Sequence, residues 1–254
     1  MQLFNLMLCI VFVVLCTAAD EEYHPFYPNE NYGDFFHGDI FFRNGTFPKD
    51  RFATTRQSAR WPNGVVPYIF DDIYSEEDKE IIRSAMAEFE KETCIKWVER
   101  TDEDFYVEIL VENGCWSELG RVGGVQSLSL ESPTCMKKGV ILHEMMHALG
   151  FYHEHSRTDR DDYVTVVWDN IEEGMEPHFE KKFPVDIDLL GLGYDYHSVM
   201  HYGAWMFAED ITKPTLIPSD NQVPIRELGE GQHKGYLTAL DIQKINKFYD
   251  CPAK

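Results

Sequence analysis

Residues 143–153 read HEMMHALGFYH, and this stretch decides how the chain folds and what it can bind. Its first two histidines, His143 and His147, are four residues apart, so on a helix they lie on the same face, about one turn from each other. Two neutral imidazoles presented in this way reach a single metal ion from a rigid element. The apolar run GVIL at 139–142 comes just before them and predicts that this helix is buried.

The remaining residues of the stretch complete a catalytic metal site. Glu144 directly follows the first histidine and points about 100° around the helix, where it can handle protons beside the metal. Gly150 can adopt the left-handed conformation that ends a helix, and the turn then carries His153 back as a third ligand. Three histidines with one position left open for water form a catalytic zinc site. We therefore expect one Zn²⁺ per chain.

The residues that follow resemble a known family. The pattern HExxHxxGxxH is the signature of the metzincin zinc endopeptidases. Residues 153–161, HEHSRTDRD, closely resemble the continuation found in the astacin family, in which a glutamate, here Glu154, follows the third histidine. SVMHY at 198–202 resembles the Met-turn of the metzincins. The resemblance runs from about residue 50 to Cys251 and implies a zinc metalloendopeptidase, a hydrolase of peptide bonds.

The resemblance implies an α+β fold of the two-lobed metzincin (zincin-like) type. The N-terminal lobe would hold a mixed twisted sheet and two helices, including the zinc helix; the C-terminal lobe would be mostly irregular with one terminal helix. SEED at 75–78 resembles a capping box and predicts a helix, and TALD at 238–241 starts the final one. Residues 155–235 are Gly-, Pro- and aromatic-rich with little periodicity. Strands are predicted at residues 65–70, 95–98, 106–111 and 123–130.

The resemblance also implies roles for single residues. Glu144 would take a proton from the zinc-activated water and pass it to the leaving amine. Tyr202 matches the astacin tyrosine that is a resting fifth zinc ligand and then swings away to hydrogen-bond the developing oxyanion. Met200 would form an apolar floor under the site. Glu154 would pair through water with the N-terminus that activation creates.

The N-terminal part of the chain is predicted to be removed. Residues 1–19 carry an apolar run that ends in small residues, which predicts a signal peptide and a secreted protein. Residues 20–51 are predicted to be an inhibitory propeptide, and residues 52–254 the catalytic domain. FHGD at 36–39 resembles the FxGD motif of astacin propeptides, whose aspartate, here Asp39, binds zinc in place of water and keeps the zymogen latent. The histidine of this motif could also ligate, but the aspartate is the expected ligand.

Activation requires a cut in the chain. By resemblance the mature N-terminus lies near Phe52, and Arg51 before it suits a trypsin-like activating protease. Arg56 and Arg60 are alternative sites. Asn44 begins a glycosylation sequon, but this sequon lies in the removable segment.

Four of the six cysteines lie outside the signal segment, an even number that suits disulfides in a secreted protein. They are Cys94, Cys115, Cys135 and Cys251. Four cysteines allow three pairings, and the sequence does not choose between them. The astacin resemblance implies Cys94–Cys251 and Cys115–Cys135. A cysteine-ligated metal is a poor alternative because no CxxC spacing occurs.

The charge of the chain limits its partners. Of 44 acidic and 23 basic residues, only 7 and 3 lie in residues 1–51, so the net charge of −21 belongs mainly to the domain. Nucleic acid and anionic membranes are therefore not expected as partners. The expected partners are protein or peptide substrates and the activating protease, and a monomer is expected. The one apolar run of note, in residues 3–15, could alternatively remain as an uncleaved anchor, but it is short for a membrane span.

Substrate binding is predicted from the resemblance as well. An extended peptide would pair with an edge strand of the N-terminal lobe, for which CWS at 115–117 is the candidate. His233 and Lys234 lie where some astacins place a basic residue facing the first pocket on the leaving-group side. A preference for acidic side chains in that pocket is the resulting hypothesis.

Two other classes of function compete with a protease. One is a catalytically inactive, astacin-like binding protein, and the intact Glu144 and histidines argue against it. The other is a structural metal protein, which would need a permanent fourth protein ligand. Only the displaceable side chains Tyr202 and Asp39 are available for that position.

Overall fold

The computed structural model describes residues 35–42, 59–181 and 188–253. The predicted signal peptide, the expected cut after Arg51, the alternative site Arg56 and the sequon at Asn44 lie outside these residues. No helix in the described ranges is long and apolar enough to cross a membrane.

Four α-helices, nine strands and six short 3₁₀ helices make up the regular part of the described chain. The helices are α1 (Glu76–Glu92), α2 (Lys138–Ala148), α3 (Glu230–Lys234) and α4 (Ala239–Phe248). The strands are β1 (Phe35–Phe36), β2 (Ile40–Phe41), β3 (Val65–Phe70), β4 (Lys96–Glu99), β5 (Tyr106–Leu110), β6 (Cys115–Glu118), β7 (Val125–Leu130), β8 (Val164–Val166) and β9 (Leu216–Pro218). Strand β3 has the predicted bounds. Strand β4 is shifted by one residue at both ends, and β5 and β7 are shorter than predicted by one and two residues at one end.

Capping boxes begin the two longest amphipathic helices, α1 and α4. Ser75 accepts a hydrogen bond from the backbone N–H of Asp78, and the Asp78 carboxylate accepts one from the backbone N–H of Ser75. Thr238 and Asp241 repeat this arrangement at the start of α4. Each box satisfies backbone N–H groups that a helix start would otherwise leave unpaired. The predicted starts of both helices are confirmed.

Seven strands form one mixed sheet in the order β1-β2-β6-β7-β5-β3-β4. Strands β3, β4, β5 and β7 pair in parallel, and β6 pairs antiparallel with β7. Strand β2 adds to the edge of β6 in parallel. Residues 20–50 show no strand periodicity in the sequence, so β1 and β2 were not among the predicted strands. Strands of two residues are too short to show an alternating pattern. The edge of β6 pairs with β2, and β2 in turn pairs with β1.

Two hydrophobic cores lie in different parts of the described chain. The first core joins the sheet to α1, α2 and α4, and its members include Val66, Ile82, Phe89, Val107, Leu128, Ile141 and Ile245. The second core follows the histidine stretch and consists of Val164, Ile171, Phe179, Tyr194, Tyr202, Ala204, Met206, Leu216 and Leu228. The α+β class is confirmed. The two lobes remain a prediction, which the separation of the two cores favours.

The chain after residue 155 contains more regular structure than predicted. Besides the expected terminal helix α4, it holds the short helix α3 and the two-stranded sheet β8-β9. These elements have three to five residues each, too few for a periodic signal. Helix α3 packs tightly on α2, because a Cβ atom at Gly139 would come within 1.8 Å of the Gln232 carbonyl oxygen.

Two disulfides tie the elements together. Cys94, just after α1, bonds to Cys251, just after α4. Cys115 in β6 bonds to Cys135, shortly before α2. Of the three possible pairings, the structure contains the one implied by the resemblance.

Candidate metal centre

The three histidines of the opening stretch meet at one point. His143 and His147 project from α2, which is buried along its whole length apart from its first residue. The chain turns at Gly150, whose φ of 102° is disfavoured for residues with a Cβ atom, and returns with His153. The Nε2 atom of His143 lies 3.1 Å from the Nε2 atoms of both His147 and His153.

Hydrogen bonds at the other ring nitrogens orient two of these imidazoles. Nδ1 of His143 lies 2.7 Å from the Val199 carbonyl oxygen, and Nδ1 of His147 lies 2.7 Å from the Phe151 carbonyl oxygen. A carbonyl can only accept, so both Nδ1 atoms carry the proton and both Nε2 atoms present a lone pair. Converging lone pairs on buried imidazoles fit a zinc ion and are otherwise costly.

Asp39 lies against the same three nitrogens. Its Oδ2 atom is 3.1 Å from Nε2 of His143 and of His153, and its Oδ1 atom is 3.5 Å from Nε2 of His147. Together these four buried residues can supply one ligand atom each to a single metal ion. Burial opposes the charged form of Asp39, but the adjacent histidines hold the pKa of its carboxyl well below the ordinary value.

Glu144 is buried beside this cluster without being part of it. Its Oε2 atom has no hydrogen-bond partner among the described residues. Burial, and secondarily the negative charge of Asp39, raise the pKa of Glu144 well above its ordinary value. A carboxyl whose pKa is raised in this way holds a proton more firmly than an ordinary glutamate and is suited to accept and return one.

Tyr202 points at the backbone of the 35–42 segment. Its hydroxyl donates to the carbonyl oxygen of His37 at 2.5 Å, and its ring stacks on that of His155 with centroids 3.8 Å apart. Burial raises the pKa of Tyr202 well above its ordinary value, so the hydroxyl stays a donor. Its ring centroid is 4.7 Å from that of His153.

Glu154 points away from the metal cluster into a group of charges. Its carboxylate accepts from Lys244 at 2.7 Å, from Arg157 at 3.2 Å and from the backbone N–H of Asp195 at 2.9 Å. Glu154, Arg157 and Lys244 are all buried. Lys244 was missed at the sequence level because a lysine on an amphipathic helix is normally solvent-exposed.

Helix α4 contacts the 198–202 segment through the side chain of Asp241. The Asp241 carboxylate accepts from the Ser198 hydroxyl at 2.5 Å and from the Val199 backbone N–H at 3.0 Å. Because Val199 is also the acceptor for His143, Asp241 supports a metal ligand through one intermediate residue. Met200 is buried in the first core. The sequence marked Asp241 only as a helix cap.

The proposed substrate edge is covered by the 35–42 segment. Ile40 pairs with Ser117 and Phe41 with Glu118, and the backbone N–H of Ser117 donates to the Asp39 carbonyl oxygen at 2.9 Å. The Phe41 ring packs on Trp116 with centroids 4.9 Å apart. The same segment therefore reaches the histidines and occupies the edge of β6.

His233 and Lys234 lie on α3. Lys234 pairs with Glu230 one turn earlier on the helix. A Cβ atom at Gly203, next to Tyr202, would lie 3.2 Å from Nε2 of His233. The His233 ring therefore lies against the backbone just after the 198–202 segment.

A family model described as Astacin, a peptidase family, matches residues 53–250. The chain belongs to the astacin family. It is 46% identical over 195 residues to "Zinc metalloproteinase nas-15" of Caenorhabditis elegans, a match that covers 76% of this chain and 33% of that relative. It is 43% identical over 199 residues to "Low choriolytic enzyme" of Oryzias latipes, covering 76% and 70% of the two chains.

A solved astacin structure has the same fold. It is "High choriolytic enzyme 1", a hatching enzyme zinc-protease from Oryzias latipes, with a TM-score of 0.69, 38% identity, and coverage of 76% of this chain and 94% of that chain. Several curated relatives are much longer, and this chain spans only 33% and 37% of the two C. elegans relatives that lead the comparison. The metal of this astacin site is zinc, and the described histidine cluster can bind it.

Proposed function

We propose that this astacin-family chain is a secreted, zinc-dependent endopeptidase that is made in a latent form. The observation that carries the proposal is the convergence of three buried histidine Nε2 atoms. That of His143 lies 3.1 Å from those of His147 and His153, and Glu144 is buried beside them. Bound zinc would supply Lewis acidity toward the scissile carbonyl and lower the pKa of a water molecule. Its ligands would be His143, His147 and His153.

Glu144 is the proposed proton carrier. Its carboxylate would accept a proton from the attacking water and deliver it to the leaving amine. The raised pKa supports this role, because a carboxyl of ordinary acidity would hold the proton too weakly to pass it on at neutral pH. Tyr202 would donate its hydroxyl proton to the developing oxyanion once it is no longer bonded to His37. Its role as a resting fifth ligand remains part of the same proposal.

Latency would come from residues 20–51 as an inhibitory segment. Two contacts support this role: the Asp39 carboxylate lies where it would exclude water from the metal, and β2 occupies the β6 edge on which a substrate strand would pair. The cut that releases the segment would fall after Arg51, made by a trypsin-like protease. The new N-terminus at Phe52 would then approach Glu154, sharing it with Lys244 and Arg157.

Three finer features complete the proposal. Secretion is supported by the two disulfides, which persist in an oxidising compartment. The protein would act as a monomer on protein substrates. A basic His233 near the Met-turn would favour acidic side chains on the leaving-group side. Cleavage of a peptide library tests this preference, and a purely apolar preference would contradict it.

The activity is tested with casein as substrate, comparing trypsin-treated and untreated protein, with and without a zinc chelator. We expect cleavage after trypsin treatment that the chelator abolishes. Glu144→Ala is expected to lose cleavage while still binding one zinc ion, and Glu172→Ala, on the exposed surface, serves as a matched control. Zinc binding without cleavage under any activation condition would instead favour a binding or structural protein.

Latency is tested in the uncut chain with Asp39→Ala. Removing one partner of a buried charge pair, here the Asp39 carboxylate facing the zinc ion, costs on the order of 2–5 kcal/mol. The state in which the inhibitory segment no longer covers the metal should therefore gain about 30-fold or more in population. We therefore expect casein cleavage without trypsin. Asp34→Ala, five residues upstream in the same predicted propeptide, is the matched control and should remain latent. An uncut Asp39→Ala protein as silent as the wild type would contradict the latent role.

A further inference from the structure

The third histidine of the zinc cluster differs from the other two in how its second nitrogen is held. His143 and His147 donate their Nδ1 protons to main-chain carbonyls that follow in the same domain. Nδ1 of His153 instead faces Nδ1 of His37, at 3.4 Å. An imidazole that binds a metal through Nε2 carries its proton on Nδ1, so His153 must be the donor and His37 the acceptor.

The backbone around His37 fixes this contact. Its φ is 53°, in the left-handed region that histidine tolerates better than most residues with a side chain, and Gly38 follows with a φ of 88°. The His37 ring is buried against Phe36, with centroids 3.8 Å apart. Its carbonyl oxygen accepts from Tyr202. His37, two residues before Asp39, therefore contacts His153 through its ring and Tyr202 through its carbonyl oxygen.

We propose that His37 is a positioning residue of the latent protein, whose imidazole accepts a hydrogen bond from the Nδ1 proton of the zinc ligand His153. This inference rests on the proposed latency of residues 20–51. Hydrogen-bond acceptors behind metal-bound histidines raise their basicity and fix their orientation, and losing one typically costs about 10–100-fold in metal affinity. The uncut chain would therefore hold zinc more tightly than the same domain after its propeptide has left.

A different arrangement of the same rings must be distinguished. His37, His153 and His155 could also supply one atom each to a second metal ion. A second metal ion at this place would have to bind Nδ1 of His153, whose Nε2 atom already points into the zinc cluster. It would remove the Nδ1 proton and turn the ring into a bridge between two metals, whereas the hydrogen bond to His37 keeps that proton in place.

The test measures how fast zinc leaves the uncut, full-length protein for a chromogenic chelator. His37→Asn keeps an acceptor at the position of Nδ1 and tolerates a positive φ, and it should release zinc at the wild-type rate. His37→Gly suits the same φ but has no acceptor, and His37→Leu has a similar shape without an acceptor. Both should release zinc about 10-fold faster. In the cobalt-substituted protein the visible bands should shift for Gly and Leu but not for Asn.

Cleavage after Arg51 provides an internal control, because it removes residue 37 and leaves identical chains. All differences in rate and spectrum should then vanish. Wild-type rates of zinc release in all three variants would overturn the proposal. A His37→Asn variant that releases zinc as fast as the Gly and Leu variants would also overturn it, because it would indicate an effect of packing alone. Two zinc ions per uncut chain would also overturn it. An Asp39→Ala chain that stays latent would contradict the proposed function instead, and the His37 rates are read separately from that result.

Discussion

The two cores of this astacin-family chain are built in different ways. The first core takes most of its residues from β-strands and helices with regular spacing. The second core lies in chain with little regular structure, and buried histidines pack beside its aromatic rings: His155, His178 and His201. The first core contains the apolar side chains of α2, and we expect it to keep that helix in place. The second core contains Tyr202, whose ring lies beside the metal ligand His153, so its packing affects the metal centre directly.

A matched pair of substitutions should separate these two roles. Phe89 and Phe179 are both completely buried, one in each core. Phe89→Ala and Phe179→Ala should each lower the free energy of unfolding by about 3–5 kcal/mol, seen as a fall in Tm on thermal unfolding. Only Phe179→Ala should also reduce casein cleavage at low temperature, because its ring packs edge-on against Tyr202, with centroids 5.9 Å apart.

The exposed Ile73 gives the control for this pair, and Ile73→Ala should leave both Tm and cleavage unchanged. Equal losses of cleavage in the two phenylalanine variants, measured where both remain folded, would remove the functional distinction between the cores.

Asp241 joins the 198–202 segment to α4, and its substitution should give the next largest effect. Asp241→Asn replaces one carboxylate oxygen by an N–H₂ group. That group then faces either the Ser198 hydroxyl or the backbone N–H groups of Val199 and Thr238. The loss should be about 2 kcal/mol in the free energy of unfolding. Zinc should also dissociate faster, because the Val199 carbonyl orients His143. Urea unfolding and chelator kinetics measure the two effects. Glu173→Gln, on the exposed surface, is the control, and unchanged zinc release in Asp241→Asn would break the proposed link.

The smallest expected effect is a pH dependence specific to the second core. Burial lowers the pKa of His178 to about 4, against about 6.5 for an unfolded histidine. The unfolded chain therefore binds more protons below pH 6.5, so this contribution is complete above that pH and is lost as the pH falls toward 4. At pH 5.5 the loss from His178 should be about 1 kcal/mol.

Urea unfolding of His178→Gln at pH 7.5 and 5.5 checks this contribution. The variant should lose about 1 kcal/mol less than the wild type between the two pH values. Phe89→Ala changes the other core and should keep the wild-type pH dependence. If His178→Gln also keeps it, His178 is not a group through which the protein responds to acid.

The sequence was most informative where chemistry depends on residues close together in the chain. The spacing of His143 and His147 on one helix, the turn at Gly150 and the capping boxes of α1 and α4 all follow from helical geometry over a few residues. The predicted strands and helices also rest on short-range patterns, while the α+β class was what the family resemblance implied. Residue spacing and ligand type predicted that the chain presents three imidazoles to a zinc ion, and the family resemblance implied the same metal.

Only the tertiary structure could decide which distant groups hold that site in place. Nothing local links Asp241 to Val199, Lys244 to Glu154, or His37 to His153, because each pair is separated by 42 or more residues. The strand formed by Ile40 and Phe41 lies between β1 and the edge of β6 and pairs with both. These contacts depend on how the elements pack, which no short-range pattern encodes. The sequence determined the ligands, and the packing decided what orients and covers them.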